Sequence, residues 1–113
     1  LNAANLKETN LCGAELTATD LSEANLSYVD LSHSSLTRAN LSKANLSFSD
    51  LRSANLQAAN LQEACLYQAD LRGTNLSFAD LRSADLTEAK LQGANLTNTH
   101  LSLTESEKAA LLI

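Results

Sequence analysis

The sequence predicts an all-β solenoid, a chain wound into stacked four-sided coils, and three observations carry that reading. Leucine occupies position 1 and every fifth position to 101, 21 times without exception. Two residues before each of these leucines the side chain is small: of 20 such positions 13 are Ala, four are Thr, two are Ser and one is Val29. One residue before each leucine, 15 of 20 positions are Asn or Asp. The unit is A-(N/D)-L-x-x, with x mostly polar.

A period of five fits no regular element. On a straight helix the leucines would wind around every side. On a straight strand successive leucines would alternate faces. A short extended piece followed by a corner, repeated every five residues, puts every leucine inside. The two-residue alternation then sends the small residue and the Leu inward and the Asn or Asp outward. The two x residues form the corner. Right-angle corners close a coil after four units, or 20 residues, and parallel ladder bonds stack the coils. Gly13, Gly73 and Gly93 support this, since all three fall in one column when the chain is cut every 20 residues. A glycine there predicts a type II turn with positive φ. His33 and Ser53 share the column and must bear that strain or turn differently. Register leucines from Leu6 to Leu96 are expected to be buried, each contributing about 2 kcal/mol. The small residue beside each one leaves room for leucines from four sides to meet at the axis.

Composition agrees with one unit used many times. The 113 residues carry net charge −5, and 44% are hydrophobic, almost all of them Leu (24) or Ala (18). That is one domain's length and too apolar for a disordered chain. No apolar run reaches the roughly 20 residues of a membrane span. The acidic balance excludes the basic face that direct nucleic-acid binding needs.

Fragments such as Ala39-Asn40-Leu41-Ser42-Lys43 and Ala54-Asn55-Leu56-Gln57-Ala58 resemble the pentapeptide-repeat family. The resemblance spans residues 1–103 and implies a right-handed quadrilateral parallel β-helix, here about five coils and about 25 Å long. Residues 104–113 leave the pattern. Thr104 and Glu107 read as a capping box, so a short C-terminal helix is expected over 105–113. Its Leu111, Leu112 and Ile113 are expected to lie over the last coil or to grip a partner. The chain opens on a register Leu with no Met, cap or signal peptide, which suggests that it was trimmed or follows something removed.

Residues for catalysis are not in evidence. His33 and His100 are the only histidines. They stand roughly 15 Å apart along the rod, too far to share a metal or a proton. No His is placed to activate a serine, and there is no Gly-rich phosphate loop. The expectation is therefore a protein that is not an enzyme, with no catalytic, metal or cofactor-binding residues and no cofactor. Cys12 and Cys65 fall on different columns, beyond disulfide reach. Two free thiols fit a reducing compartment, so the expected location is the cytoplasm. A lumenal or periplasmic location stays open because the native N-terminus is not visible.

The outward columns carry the only candidate site. Asp30, Asp50 and Asp70 stack in one column that Lys90 ends, and Arg52 and Arg72 stack two residues further on the same face. Tyr28 and Phe48 share a column at the neighbouring edge, and Tyr67 stands one slot before it in the next coil. Phe78 lies near the opposite edge. Rows of exposed aromatics mark contact sites, and they also pack on one another; both readings stand at this point. The function expected is a structural or protein-interaction module with an unknown protein partner, no membrane, and a monomeric or end-to-end dimeric state. The resemblance adds an alternative. Some pentapeptide-repeat proteins mimic B-form DNA and bind DNA gyrase, whereas many cyanobacterial members have no assigned activity. Charge counts against mimicry here, because Lys43, Arg52, Arg72, Arg82 and Lys90 interrupt the acidic columns.

Overall fold

A computed structural model describes residues 1–103 and 105–112. The corner comes first, because it decides everything else. The carbonyl of each register leucine from Leu1 to Leu96 accepts a hydrogen bond from the small residue three positions on, as Leu21 does from Ala24 at 3.1 Å. The second x residue between them has positive φ at every corner: 54–64° for 17 non-glycine residues and 70–76° for Gly13, Gly73 and Gly93. This is the type II turn. It is not confined to the glycine column. His33 (60°) and Ser53 (59°) take it, as do Tyr28, Lys43 and Phe48. An L residue in that region costs about 1 kcal/mol. The ladder offsets the cost, because the N–H of the same residue bonds the next coil, as Tyr28 does to Ser47 O at 3.0 Å.

Between corners the chain is extended for little more than one residue. The Asn/Asp position pairs in parallel with the residue 20 further on, as Asn5 with Asn25 and Asp50 with Asp70. Backbone bonds run both ways through that position. Leu46 N–H reaches Cys65 O at 2.7 Å, and Asn45 N–H reaches Ala24 O at 2.9 Å. The pairing lengthens only at β1 (Asp80–Leu81) and β2 (His100–Leu101), where Asp80 faces His100. The twenty-residue coil is thus a direct property of the register.

The Asn and Asp side chains do more than point outward. All 15 accept, at Oδ1, the backbone N–H two residues on, at 3.0–3.3 Å. Each is an Asx turn that leads the chain into the corner. Asn55→Ala is therefore expected to cost about 1 kcal/mol, and Asn55→Asp to stay within about 0.5 kcal/mol. Urea unfolding of the two variants reads the difference.

Leucines from Leu21 to Leu91 are buried along with most of their small neighbours. Ser34, Ser49 and Thr74 point inward and donate to the carbonyl three residues back, at 2.6–2.8 Å. The expectation fails at the ends. Leu6, Leu11, Leu16 and Leu96 are only half-buried. Leucines of the first coil are covered by a neighbouring coil on one side alone, so part of each stays in contact with water.

Helix α1 (Glu105–Leu112) follows the last coil. Its Leu111 packs against the core, and the Leu111 carbonyl accepts the Leu91 N–H at 3.2 Å. Leu112 is exposed. Ile113 and Thr104, and with Thr104 the capping box, fall outside the described residues. The molecule measures 35 × 20 × 19 Å, longer than the coils alone predict.

Candidate protein-contact edge

The corner geometry builds the edge. Tyr28 and Phe48 occupy second x positions of successive coils, with φ of 57° and 59°. The turn throws both side chains outward from the same corner column. Their rings stack with centroids 4.8 Å apart and planes 6° apart. Tyr67 meets Phe48 edge-on at 5.5 Å and 80°. At the other end Lys7 Nζ lies 5.9 Å from the Tyr28 ring centre. Such pairs contribute about 0.5–1.5 kcal/mol each. The ring faces are thus partly occupied, yet Tyr28 remains 53% and Phe48 39% exposed. What faces water is a ridge of ring edges.

Two polar residues extend this ridge. Gln68 Nε2 donates to Tyr67 Oη at 3.2 Å and to Glu88 Oε2 at 2.6 Å. Lys7, Gln68 and Glu88 did not stand out in the sequence. Their signal was column position: Lys7 shares its column with Tyr67, and Gln68 and Glu88 share theirs with Tyr28 and Phe48.

On the adjoining face the two charge columns pair residue by residue. Arg52 holds Asp50 with two bonds of 2.9 and 2.7 Å, and Arg72 holds Asp70 at 2.8 and 2.6 Å. Arg52 Nε also lies 3.8 Å from Asp70 Oδ2. Asp30 accepts instead from the Ser32 hydroxyl at 2.6 Å. Arg82 and Asp80 repeat the two-bond pair on another face at 2.9 and 2.7 Å. The triplet Asp-Leu-Arg marks all three pairs in the sequence. The arginine bonds hold the Asp50, Asp70 and Asp80 carboxyls below the ordinary range, against the opposing effect of burial. Phe78, 57% exposed, stands in a different column. Cys12 is exposed and Cys65 half-buried, both as free thiols. His33 and His100 are exposed at separate places. Among the described residues no group of three or more His, Cys, Asp or Glu is placed to hold a metal.

The pentapeptide-repeat model matches in eight copies over residues 1–38, 34–73 and 64–102. The chain belongs to the pentapeptide-repeat family. Proteins of this family form right-handed quadrilateral β-helices, and the register described above is theirs. Among solved structures the chain is similar to the pentapeptide-repeat protein Rfr23 of the cyanobacterium Cyanothece 51142, with 42% identity over 78% of this chain and 64% of that one, TM-score 0.44. It is also similar to HetL of Nostoc sp. PCC 7120, a protein involved in heterocyst differentiation regulation, with 33% identity over 88% and 60%, TM-score 0.49. A trypsin-treated form of QnrB1, a plasmid-mediated fluoroquinolone resistance protein, shares the fold at 22% identity over 80% and 54%, TM-score 0.54. The pentapeptide-repeat chain spans between 54% and 64% of the length of these three. No curated protein matches it significantly.

Proposed function

We propose that this pentapeptide-repeat chain is a non-enzymatic interaction module, a rod of about five coils that meets a protein partner along the Tyr28, Phe48 and Tyr67 edge. Asp30, Asp50, Asp70, Arg52 and Arg72 flank that contact and set its register. One observation carries the reading: a clustered, solvent-facing aromatic ridge at corner positions where the repeat requires no aromatic side chain. Exposed aromatics anchor interfaces because they bring large area at small entropic cost. Free Cys12 and Cys65 favour the cytoplasm as the place of action.

Gyrase binding by DNA mimicry is the competing reading, and the charge pattern argues against it. A DNA-like rod of 35 Å would need about 20 uncompensated negative charges at one per roughly 1.7 Å. This chain has a net charge of −5, and Asp50, Asp70 and Asp80 are each bound to an arginine. No inhibition of gyrase supercoiling is expected at micromolar protein; clear, salt-sensitive inhibition would favour the mimic.

The edge is tested on the isolated partner by comparing Tyr28→Ser with Phe48→Ser against Phe78→Ser. The first pair should weaken binding by roughly thirtyfold, the scale of a hot spot, and lower stability by about 1 kcal/mol. Phe78→Ser should leave binding intact. Equal loss from both sets, or a stability loss on the scale of a core substitution, would make the stack a packing feature instead.

A further inference from the structure

An open groove of about 380 Å³ runs between residues 84–88 of the last coils and α1. Leu86, Leu103 and Leu111 form its floor, and Asp85, Glu88 and Glu107 stand at its rim. Asp85 is fixed by the Thr87 hydroxyl at 2.6 Å and the Thr87 N–H at 3.0 Å, which keep its carboxyl below the ordinary range. Glu88 is held by Gln68 at 2.6 Å. Those donors are neutral, so they orient the two carboxylates without cancelling their charge. Through Gln68 the rim is continuous with the aromatic ridge, since the same amide also bonds Tyr67.

We infer that this groove takes a basic amphipathic segment of a protein partner, with apolar side chains on the leucine floor and lysine or arginine against the Asp85 and Glu88 rim. The inference rests on the interaction-module reading for the existence of a partner, and it adds the chemistry of what docks. Charge complementarity selects the occupant. An acidic peptide, a nucleic acid or an anionic lipid surface meets like charge at the rim. A bare cation leaves the apolar floor uncovered. The volume suits a few side chains and lies within the range of binding clefts.

The test uses the full chain labelled with 15N and a capped hexapeptide of four leucines and two lysines, with a second peptide carrying glutamates in place of the lysines. Amide shifts from the lysine peptide should map to residues 84–88 and 107–111 and weaken as salt rises. Asp85→Asn with Glu88→Gln keeps the Asx turn and the Gln68 contact, and should weaken peptide binding about tenfold at unchanged melting temperature. Tyr28→Ser with Phe48→Ser should leave the groove shifts in place, which separates this site from the ridge. Equal shifts from the glutamate peptide overturn the inference. So does the absence of shifts at millimolar peptide. Shifts confined to residues 28, 48 and 67 overturn the groove and leave the ridge standing.

Discussion

Leu46→Ala is expected to lower the stability of the rod by about 2–5 kcal/mol. Leu46 is fully buried and sits between Leu26 and Leu66 of the adjoining coils, which are equally buried. The size of the loss depends on whether the walls can close on the gap. Here they are pinned by the ladder: Leu46 N–H binds Cys65 O at 2.7 Å, and Leu26 N–H binds Asn45 O at 2.7 Å. The missing atoms therefore leave a cavity as well as a lost transfer term. Leu6→Ala is the natural control. That leucine is half-buried in the first coil, and the same truncation there should cost distinctly less. Urea unfolding measures both; a fully tolerated Leu46→Ala would contradict the stacked core.

Ala59→Leu should cost about 1–3 kcal/mol through overpacking, whereas Ala58→Leu, one residue earlier, should change stability by no more than about 0.5 kcal/mol. Ala59 is 1% exposed and faces the axis beside Leu61. Its backbone cannot retreat, because Asn60 N–H binds Ala39 O at 2.9 Å and Asp80 N–H binds Ala59 O at 3.0 Å. Ala58 stands on the corner in solvent. Identical substitutions at adjacent alanines thus read out which slot of the repeat is interior. Thermal melts of the two variants suffice. Equal losses at both would show that the inward and outward slots are wrongly assigned.

What the sequence makes legible follows from what it repeats. An unbroken leucine column and its small partners leave one geometry that buries both, so the coil and its inward pair can be read directly. The columns of Tyr28, Phe48 and Tyr67 and of Asp50, Arg52, Asp70 and Arg72 follow once the coil length is known. Three things do not follow. The left-handed corner at residues such as Lys43 and Phe48 is invisible to propensity, because glycine marks only three of the 20 corners; ladder bonds and leucine burial override the local cost. The Asx turns are hidden because an Asn beside a buried Leu reads as solvent-facing until its Oδ1 is seen on the backbone N–H ahead. The half-burial of Leu16 and Leu96 and the groove beside Leu86 depend on what lies over each end, and no periodic pattern encodes that. The groove lies between the last coils and α1.

The central claim is that the aromatic ridge recognises a protein while the repeat beneath it only holds it straight. A photo-crosslinking benzoylphenylalanine placed at Phe48, and separately at Phe78, tests this in the full chain in its own cell. Both positions are exposed corners with the same backbone turn, and position 48 also meets the Tyr28 and Tyr67 rings. The account predicts one discrete cross-linked protein from position 48, lost when Tyr28 is changed to Ser, and none from position 78. The same product from both positions, or no product from position 48, would contradict it.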